Sequence, residues 1–168
     1  MRKLGAVLVA LSAVLMFGGI AAGSHIVGCP HRPSSWTGTG ANECASDGAP
    51  ASNDAWSMGG GNDTAYGEVG LDIINGNGGA DVLQGGADGD FLAGGDAGDN
   101  LYENEPGLPG SASDQVYGDD GNDNIECGRG TDTCRGGTGY DILWHCHDGG
   151  ADDIGGFEEH IDVTDPGC

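Results

Sequence analysis

The sequence has few large apolar residues and very few basic ones. Leu, Ile, Val and Phe together number 29 of 168 residues, and nine of them precede residue 21. Lys and Arg number 5 against 27 Asp and Glu, which gives a formal net charge of −22. This composition argues against a globular enzyme with a packed core and, because phosphate would repel it, against a nucleic-acid-binding protein. The chain is therefore either a disordered acidic polymer or a fold stabilised by something that neutralises carboxylates.

The N-terminus has the pattern of an export signal. Met1-Arg2-Lys3 is followed by a nearly unbroken apolar run from Leu4 to Ala22 and then by small residues. This pattern predicts a secretory signal peptide over residues 1–23, and hence a secreted, extracellular protein. A retained membrane anchor is one alternative, because about 19 apolar residues can span a bilayer. Lipidation at Cys29, which follows Ile26-Val27-Gly28, is another.

Six cysteines follow this segment, an even number that in an exported chain favours three disulfides. They are Cys29, Cys44, Cys127, Cys134, Cys146 and Cys168. Zinc binding is the alternative, since His145 and His147 flank Cys146. The sequence contains no C-x-x-C pair, however, which argues against a zinc site.

Aspartates recur at a strict nine-residue spacing, which is the sequence signature of a repeat architecture. Six extra residues, within 103–110, interrupt the spacing once, and two more are inserted near His145-Cys146. An aliphatic residue usually follows the Asp by two positions, and Gly-rich residues precede it. Ten units result, with their aspartates at Asp63, Asp72, Asp81, Asp90, Asp99, Asp114, Asp123, Asp132, Asp141 and Asp152.

The segment 76–93, GNGGADVLQGGADGDFLA, is typical of the whole series. It resembles the hemolysin-type calcium-binding repeat, or RTX repeat, with the consensus G-G-x-G-x-D-x-U-x in which U is aliphatic. The resemblance covers about Met58 to Gly155. It implies an all-β fold, a right-handed parallel β-roll in which two nonamers make one coil. The aliphatic residues of the short strands then point inward, and their neighbours point outward.

In such a roll each repeat lies on the repeat two units later, so the resemblance implies two columns of aspartates. One column holds Asp63, Asp81, Asp99, Asp123 and Asp141, and the other holds Asp72, Asp90, Asp114, Asp132 and Asp152. Stacked carboxylates repel one another, and Ca²⁺, which takes six to eight oxygen ligands, would turn that cost into coordination. Backbone carbonyls of the turns supply the other ligands in this family. The resemblance thus implies up to about eight calcium ions.

The same coil geometry places Cys127 and Cys146 about one coil apart and so implies a disulfide between them. Cys29 and Cys44 are close in sequence and form a second candidate pair. This leaves Cys134 and Cys168, although Cys134 falls at an inward position and could equally be a buried free thiol. Position four of the turn, usually Gly, is Asp88, Ala97 or Ala112 in three units, where strain at positive φ is expected.

The sequence therefore predicts four segments: a signal peptide (1–23), a loop-rich cap or linker (24–57), the calcium-binding roll (58–155) and a capping strand or tail (156–168). We expect a non-catalytic structural or surface-interaction protein, because no Ser, Cys or His falls in a nucleophile motif. Its expected partners are calcium ions and an unidentified cell-surface or polysaccharide component, with no nucleic acid and no membrane span once the signal is removed. An ice- or carbohydrate-binding adhesion module is the alternative.

Overall fold

The computed structural model describes residues 29–47, 52–103, 112–146 and 153–163, and contains fourteen strands there. The predicted signal peptide, Asp152 and Cys168 lie outside the described residues. No helix in the described part of the chain is long and apolar enough to cross a membrane. The strands are β1 (Ser35–Thr39), β2 (Cys44–Ser46), β3 (Ala55–Gly59), β4 (Thr64–Val69), β5 (Ile73–Gly78), β6 (Val82–Ala87), β7 (Phe91–Asp96), β8 (Asn100–Tyr102), β9 (Gln115–Asp120), β10 (Asn124–Glu126), β11 (Thr133–Thr138), β12 (Ile142–Cys146), β13 (Asp153–Gly155) and β14 (Glu159–Val163).

These strands form two parallel seven-stranded sheets. Sheet I has the order β1-β3-β5-β7-β9-β11-β13, and sheet II has the order β14-β12-β10-β8-β6-β4-β2. Successive strands along the chain thus alternate between the sheets, and each strand pairs with the strand two places earlier in the chain. This is a β-solenoid of about six coils, and it confirms the predicted all-β fold class.

The register of the sheets follows the repeat in the sequence. Val82 pairs with Asn100, eighteen residues later, because one coil consumes two nonamers. Phe91 pairs with Gln115, twenty-four residues later, so the six-residue insertion leaves the pairing of the strands on both sides intact. Thr133 pairs with Asp153, twenty residues later, which accommodates the two-residue insertion. Both insertions lie between strands, where extra chain does not disturb the ladder.

The core is a single file of inward side chains from each sheet. The residue two positions after each repeat aspartate is fully buried at Ala65, Ile74, Leu83, Leu92, Leu101, Val116, Ile125, Cys134 and Leu143, as predicted, and Ile154 packs against this cluster while remaining partly exposed. Alternation along each strand explains the pattern, since neighbouring residues point to opposite faces. The interior is narrow, so the core contains about one aliphatic side chain for each nonamer.

The strand pairing begins well before Met58. Trp36 of β1 pairs with Trp56 of β3, and Trp56 pairs with Ile74 of β5, so sheet I starts at Ser35. Trp56 is buried and its indole N–H donates a hydrogen bond to the carbonyl of Pro33 at 3.0 Å. The N-terminal segment therefore contributes coils of its own. At the other end, β14 pairs with β12 and Phe157 packs against the core.

Two disulfides join described residues. Cys29 is bonded to Cys44, as predicted. Cys127 is bonded to Cys134, with Cα atoms 6.4 Å apart, so the predicted pairing of Cys127 with Cys146 is wrong, as is the free thiol considered for Cys134. The physical reason is the direction of the side chain: Cys127 follows the inward Ile125 by two residues and is itself fully buried. It therefore meets the inward Cys134 of the opposite sheet.

The turns place residues in the left-handed region of φ at the second and fourth positions of the nonamer. Glycine occupies many of these positions, as at Gly79, where φ is 115°. Asp88 and Ala97 occupy the equivalent turn position with φ of 75° and 82°. An L-residue with a Cβ pays about 1–2 kcal/mol for this conformation. The strain predicted for these two turns is therefore present.

Replacing Ala97 by Gly should stabilise the protein. Relief of about 1–2 kcal/mol of strain exceeds the additional backbone entropy of Gly in the unfolded chain, so the expected gain is about 0.5–1 kcal/mol. Denaturant unfolding of the calcium-saturated protein measures it. Ala93→Gly, in the middle of β7 and without a positive φ, is the control and should destabilise by about 0.5–1 kcal/mol. Equal destabilisation by both changes would contradict the assignment of strain.

Candidate metal centre

The predicted aspartates stand at equivalent places in the roll, directly before a strand. Nine of the ten lie in the described residues, and none is more than 3% exposed. Asp81 precedes β6 of sheet II and Asp90 precedes β7 of sheet I, so consecutive aspartates lie on opposite edges of the roll. Each carboxylate thus lies at an edge of the solenoid, buried between the coils above and below it.

One carboxylate oxygen of each aspartate links neighbouring coils. The backbone N–H of Asp81 donates to Oδ1 of Asp99, and the N–H of Asp99 donates to Oδ1 of Asp123, both at 2.8 Å. In the other column, the N–H of Asp72 donates to Oδ1 of Asp90 at 2.8 Å. Among the described residues, the predicted columns therefore exist as continuous ladders, from Asp63 to Asp141 in one and from Asp72 to Asp132 in the other. A charged acceptor makes each of these hydrogen bonds stronger than one between neutral groups.

The second carboxylate oxygen, Oδ2, is buried and accepts no hydrogen bond in eight of these aspartates. They are Asp63, Asp72, Asp81, Asp90, Asp99, Asp114, Asp123 and Asp141. A buried, unpartnered polar atom costs about 1–3 kcal/mol, and more when it is charged. A row of such oxygens at equivalent positions therefore indicates that a non-protein ligand binds to them.

Glycine at the first position of the nonamer keeps the space beside Oδ2 clear. A Cβ added to Gly67 would lie within 2.5 Å of both Oδ2 of Asp72 and the carbonyl oxygen of Gly85 in the next coil. A Cβ on Gly118 would meet Oδ2 of Asp123 and the next coil's carbonyl in the same way. A carboxylate oxygen and a backbone carbonyl thus face one small space, which any side chain at the glycine would fill.

The pKa values of the buried aspartates lie well above the ordinary range. Burial raises them most, and repulsion from the next carboxylate of the column adds to the effect, while the N–H bond to Oδ1 opposes it. The pKa is about 8 for Asp90, about 7 for Asp72 and Asp99, and about 6 for Asp81 and Asp123. A proton or a bound cation that neutralises one of these carboxylates therefore stabilises the folded state.

This donor set fits a hard cation. It offers only oxygen, from carboxylates and backbone carbonyls, which is the chemistry that Ca²⁺ prefers. Ca²⁺ also tolerates irregular geometry, whereas Mg²⁺ demands a near-ideal octahedron and gives up its waters reluctantly. Replacing a ladder aspartate by asparagine would keep Oδ1 as a hydrogen-bond acceptor but would remove the negative charge that attracts the cation.

Three residues outside the predicted set continue the ladders. Asp54, nine residues before Asp63, is buried, and its N–H donates to Oδ1 of Asp72 at 2.8 Å. Glu43 donates its N–H to Oδ1 of Asp63, and Glu158 accepts the N–H of Asp141 at the C-terminal end. The nine-residue spacing, with Trp56 two residues after Asp54, is a signal that would have identified the first of these. The two glutamates stand off the spacing, so the repeat does not reveal them.

The sequence reasoning also missed Glu103. The repeat spacing places it at the start of the insertion, but it is 1% exposed and its carboxylate lies beside Asp90 and Asp114. Its pKa is raised to about 12, chiefly by burial and further by a hydrogen bond with Asp114 and the charges of nearby aspartates. The signal was the strand alternation: Glu103 follows the inward Leu101 by two residues, so it also points inward.

Comparison with known proteins supports the repeat assignment. The family model described as the RTX calcium-binding nonapeptide repeat (4 copies) matches residues 59–92, 66–101 and 109–143. No curated protein and no solved structure matches the chain.

Without metal ions the stability of the roll should fall as the pH rises from 5 to 8. The ladder aspartates have folded pKa values of about 6–8, above about 3.9 in the unfolded chain. The folded state therefore binds more protons, and the stability they confer is full below about pH 4 and is lost as the pH rises through the folded pKa values. Circular dichroism in metal-free buffer measures the fraction of folded chain, which should be larger at pH 5 than at pH 8.

The matched variants for this experiment are Asp72→Asn and Asp96→Asn. The first removes a buried carboxylate of the ladder and should make the folded fraction less dependent on pH. The second removes an exposed carboxylate with the same change in charge and should leave the dependence as it is. A folded fraction that is larger at pH 8 than at pH 5 without metal would contradict the prediction.

Proposed function

Because the chain belongs to the family of RTX calcium-binding nonapeptide-repeat proteins, we propose that it is an exported, non-catalytic structural protein whose folding depends on calcium. The observation that carries the proposal is the row of buried Oδ2 atoms without hydrogen-bond partners, repeated at each coil. The calcium-binding β-roll itself is shared with the family. Export, the coupling of folding to calcium and the absence of catalysis are the parts proposed here.

The ligands we assign are the repeat aspartates. Asp63, Asp81, Asp99, Asp123 and Asp141 would hold ions in one column, and Asp72, Asp90, Asp114, Asp132 and Asp152 would hold them in the other. Each carboxylate would contribute Oδ2, and first-position carbonyls such as that of Gly85 would complete the set. Bound calcium supplies positive charge between carboxylates that otherwise repel one another. Five aspartates per column leave at most four gaps, hence up to about eight ions.

The coupling of folding to calcium follows from charge and core size. The chain has 27 acidic residues and only 5 Lys and Arg, two of which precede Leu4 in the predicted signal. The core is a single file of aliphatic side chains, and burial of each contributes about 1.5–3 kcal/mol at most. Such a core is small against the entropy of ordering the coils. Binding of an ion that requires two stacked turns then becomes part of the free energy of folding.

Export to a calcium-rich compartment fits the same physics. The predicted signal peptide and the disulfides Cys29–Cys44 and Cys127–Cys134 favour an oxidising compartment outside the cytoplasm. Extracellular calcium modules typically have dissociation constants of about 10⁻⁴–10⁻³ M. Sites of that strength fill outside the cell and stay empty inside it. The chain would then remain unfolded until it has been exported.

A structural role is favoured over the ice-binding alternative by the outward face of sheet II. The register aligns Thr64, Val82, Asn100, Asn124 and Ile142 in one row. The row mixes apolar and polar residues of different shape and has none of the regularity of a Thr or Asn array. The repeated feature of the roll is its buried aspartate ladders, and these support ion binding.

Circular dichroism of the mature chain, with disulfides intact and excess chelator, tests the coupling. We expect the β signal to be lost in chelator and restored by millimolar Ca²⁺, because the ladder carboxylates repel one another without the ions. Equimolar Mg²⁺ is the control and should not restore it, given its stricter geometry. A β signal that persists unchanged in chelator at pH 8 would show that the coils are stable without calcium.

Asp99→Asn tests whether the ions are distributed along the roll. Asp99 lies between Asp81 and Asp123 in its ladder, so the change should weaken the two adjacent gaps and leave distant coils able to bind. Calorimetry should therefore show about two fewer tight sites. Asp96→Asn, an exposed carboxylate in the same turn, should leave the stoichiometry unchanged. Complete loss of binding from Asp99→Asn alone would contradict a distributed array.

A further inference from the structure

Glu103 occupies a place that glycine holds in the preceding coils of the same column. It directly follows β8, and its N–H donates to the carbonyl of Glu126 while its own carbonyl accepts the N–H of Gly86 at 2.7 Å. Its backbone thus continues the ladder of sheet II, level with Gly85 of the coil before. Gly85 and Gly67 leave the space beside the aspartate clear, whereas Glu103 fills it with a carboxylate.

The carboxylate of Glu103 points into the interior between two ladder aspartates. One ligand oxygen from each of Asp90, Glu103 and Asp114 lies within 4.8 Å of the other two, and these three form the one such acidic group found among the described residues. Glu103 is 1% exposed, Asp90 is 3% exposed and Asp114 is 2% exposed. Oε2 of Glu103 and Oδ2 of both aspartates have no hydrogen-bond partner. Three buried carboxylates therefore converge on one another, and each has one oxygen without a hydrogen-bond partner.

We propose that Asp90, Glu103 and Asp114 form a three-carboxylate cation site that differs from the repeated sites of the roll. The inference rests on the proposed calcium function and assigns to Glu103 a ligand role that the repeat pattern does not contain. The cations it would take are hard and oxygen-seeking, Ca²⁺ in the native protein. Because the site concentrates three negative charges where each repeated gap has two, it should prefer ions of higher charge more strongly than the other sites do.

A purely structural role for Glu103 makes a different prediction. A protonated Glu103 could donate a hydrogen bond to Asp114, and the contact between the two groups is compatible with that. A glutamine at 103 would keep such a hydrogen bond, since its amide donates, but would lack the ligand charge. The variant Glu103→Gln therefore separates a ligand from a buried hydrogen-bond donor.

Competition between Tb³⁺ and Ca²⁺ in the folded, calcium-saturated mature chain tests the site. The first equivalent of Tb³⁺ should broaden the backbone amide signals of Gly86, Asp90 and Asp114 before those of other coils. In Glu103→Gln the Tb³⁺ concentration needed for half-displacement should rise by at least about tenfold, since even groups that only orient metal ligands cost about 10–100-fold when changed. Glu126→Gln removes the same charge on the outward face one coil later and should leave the half-displacement concentration unchanged.

Three outcomes would overturn the proposal or its premise. Broadening that begins in another coil, or a Glu103→Gln protein that exchanges Tb³⁺ like the wild type, would exclude Glu103 as a ligand while leaving the calcium function intact. If Glu103→Gln does not fold, Glu103→Gly restores the residue of the repeat and must show the same loss of Tb³⁺ preference. A wild-type chain that takes up no calcium in calorimetry would instead overturn the proposed function, and this site with it.

Discussion

Burial of carboxylates in stacked columns is the constraint on which this structure depends. Each ladder aspartate holds the next coil through a backbone N–H bond to Oδ1 and leaves Oδ2 facing a closed space. The first of these interactions reinforces the stacking of coils that the strand ladders establish, through an N–H to carboxylate contact of 2.8 Å. The second demands a positive charge or a proton in that space. The same side chain thus both ties neighbouring coils together and creates the need for a cation.

The rest of the coil is arranged around this requirement. Glycine beside Oδ2, as at Gly67 and Gly118, leaves room for a ligand, and left-handed turn residues allow the chain to reverse within six residues. The core is thin as a result, because each strand contributes only one large aliphatic side chain to its short inward face. Where a larger residue replaces the first-position glycine, the interior is altered: Met58 extends the hydrophobic core, Cys127 forms a disulfide to Cys134, and Glu103 adds a carboxylate.

The interruption of the repeat shows how local the fold is. Coil stacking continues across the six-residue insertion, with Phe91 paired to Gln115 and Asn100 paired to Asn124. Each strand contacts chiefly the strands above and below it, so a change in one loop does not propagate to distant coils. This also explains why a departure such as Ala97 can be tolerated: its strain is confined to one turn, and the ladder on either side remains hydrogen-bonded.

The sequence by itself determined the strands of the repeat region, the two columns of aspartates and the inward aliphatic series, because each depends on a period that can be counted along the chain. A coil of two nonamers places Asp81 over Asp99 whatever the exact loop geometry. Only the tertiary structure decided the Cys127–Cys134 bond, the burial of Glu103 and the joining of β1–β3 to the sheets. These features depend on how far each strand's alternation continues beyond the repeat and on the narrow distance between the two sheets. Neither quantity is periodic in the sequence, since both arise only when the coils stack and bring side chains from opposite sheets into contact.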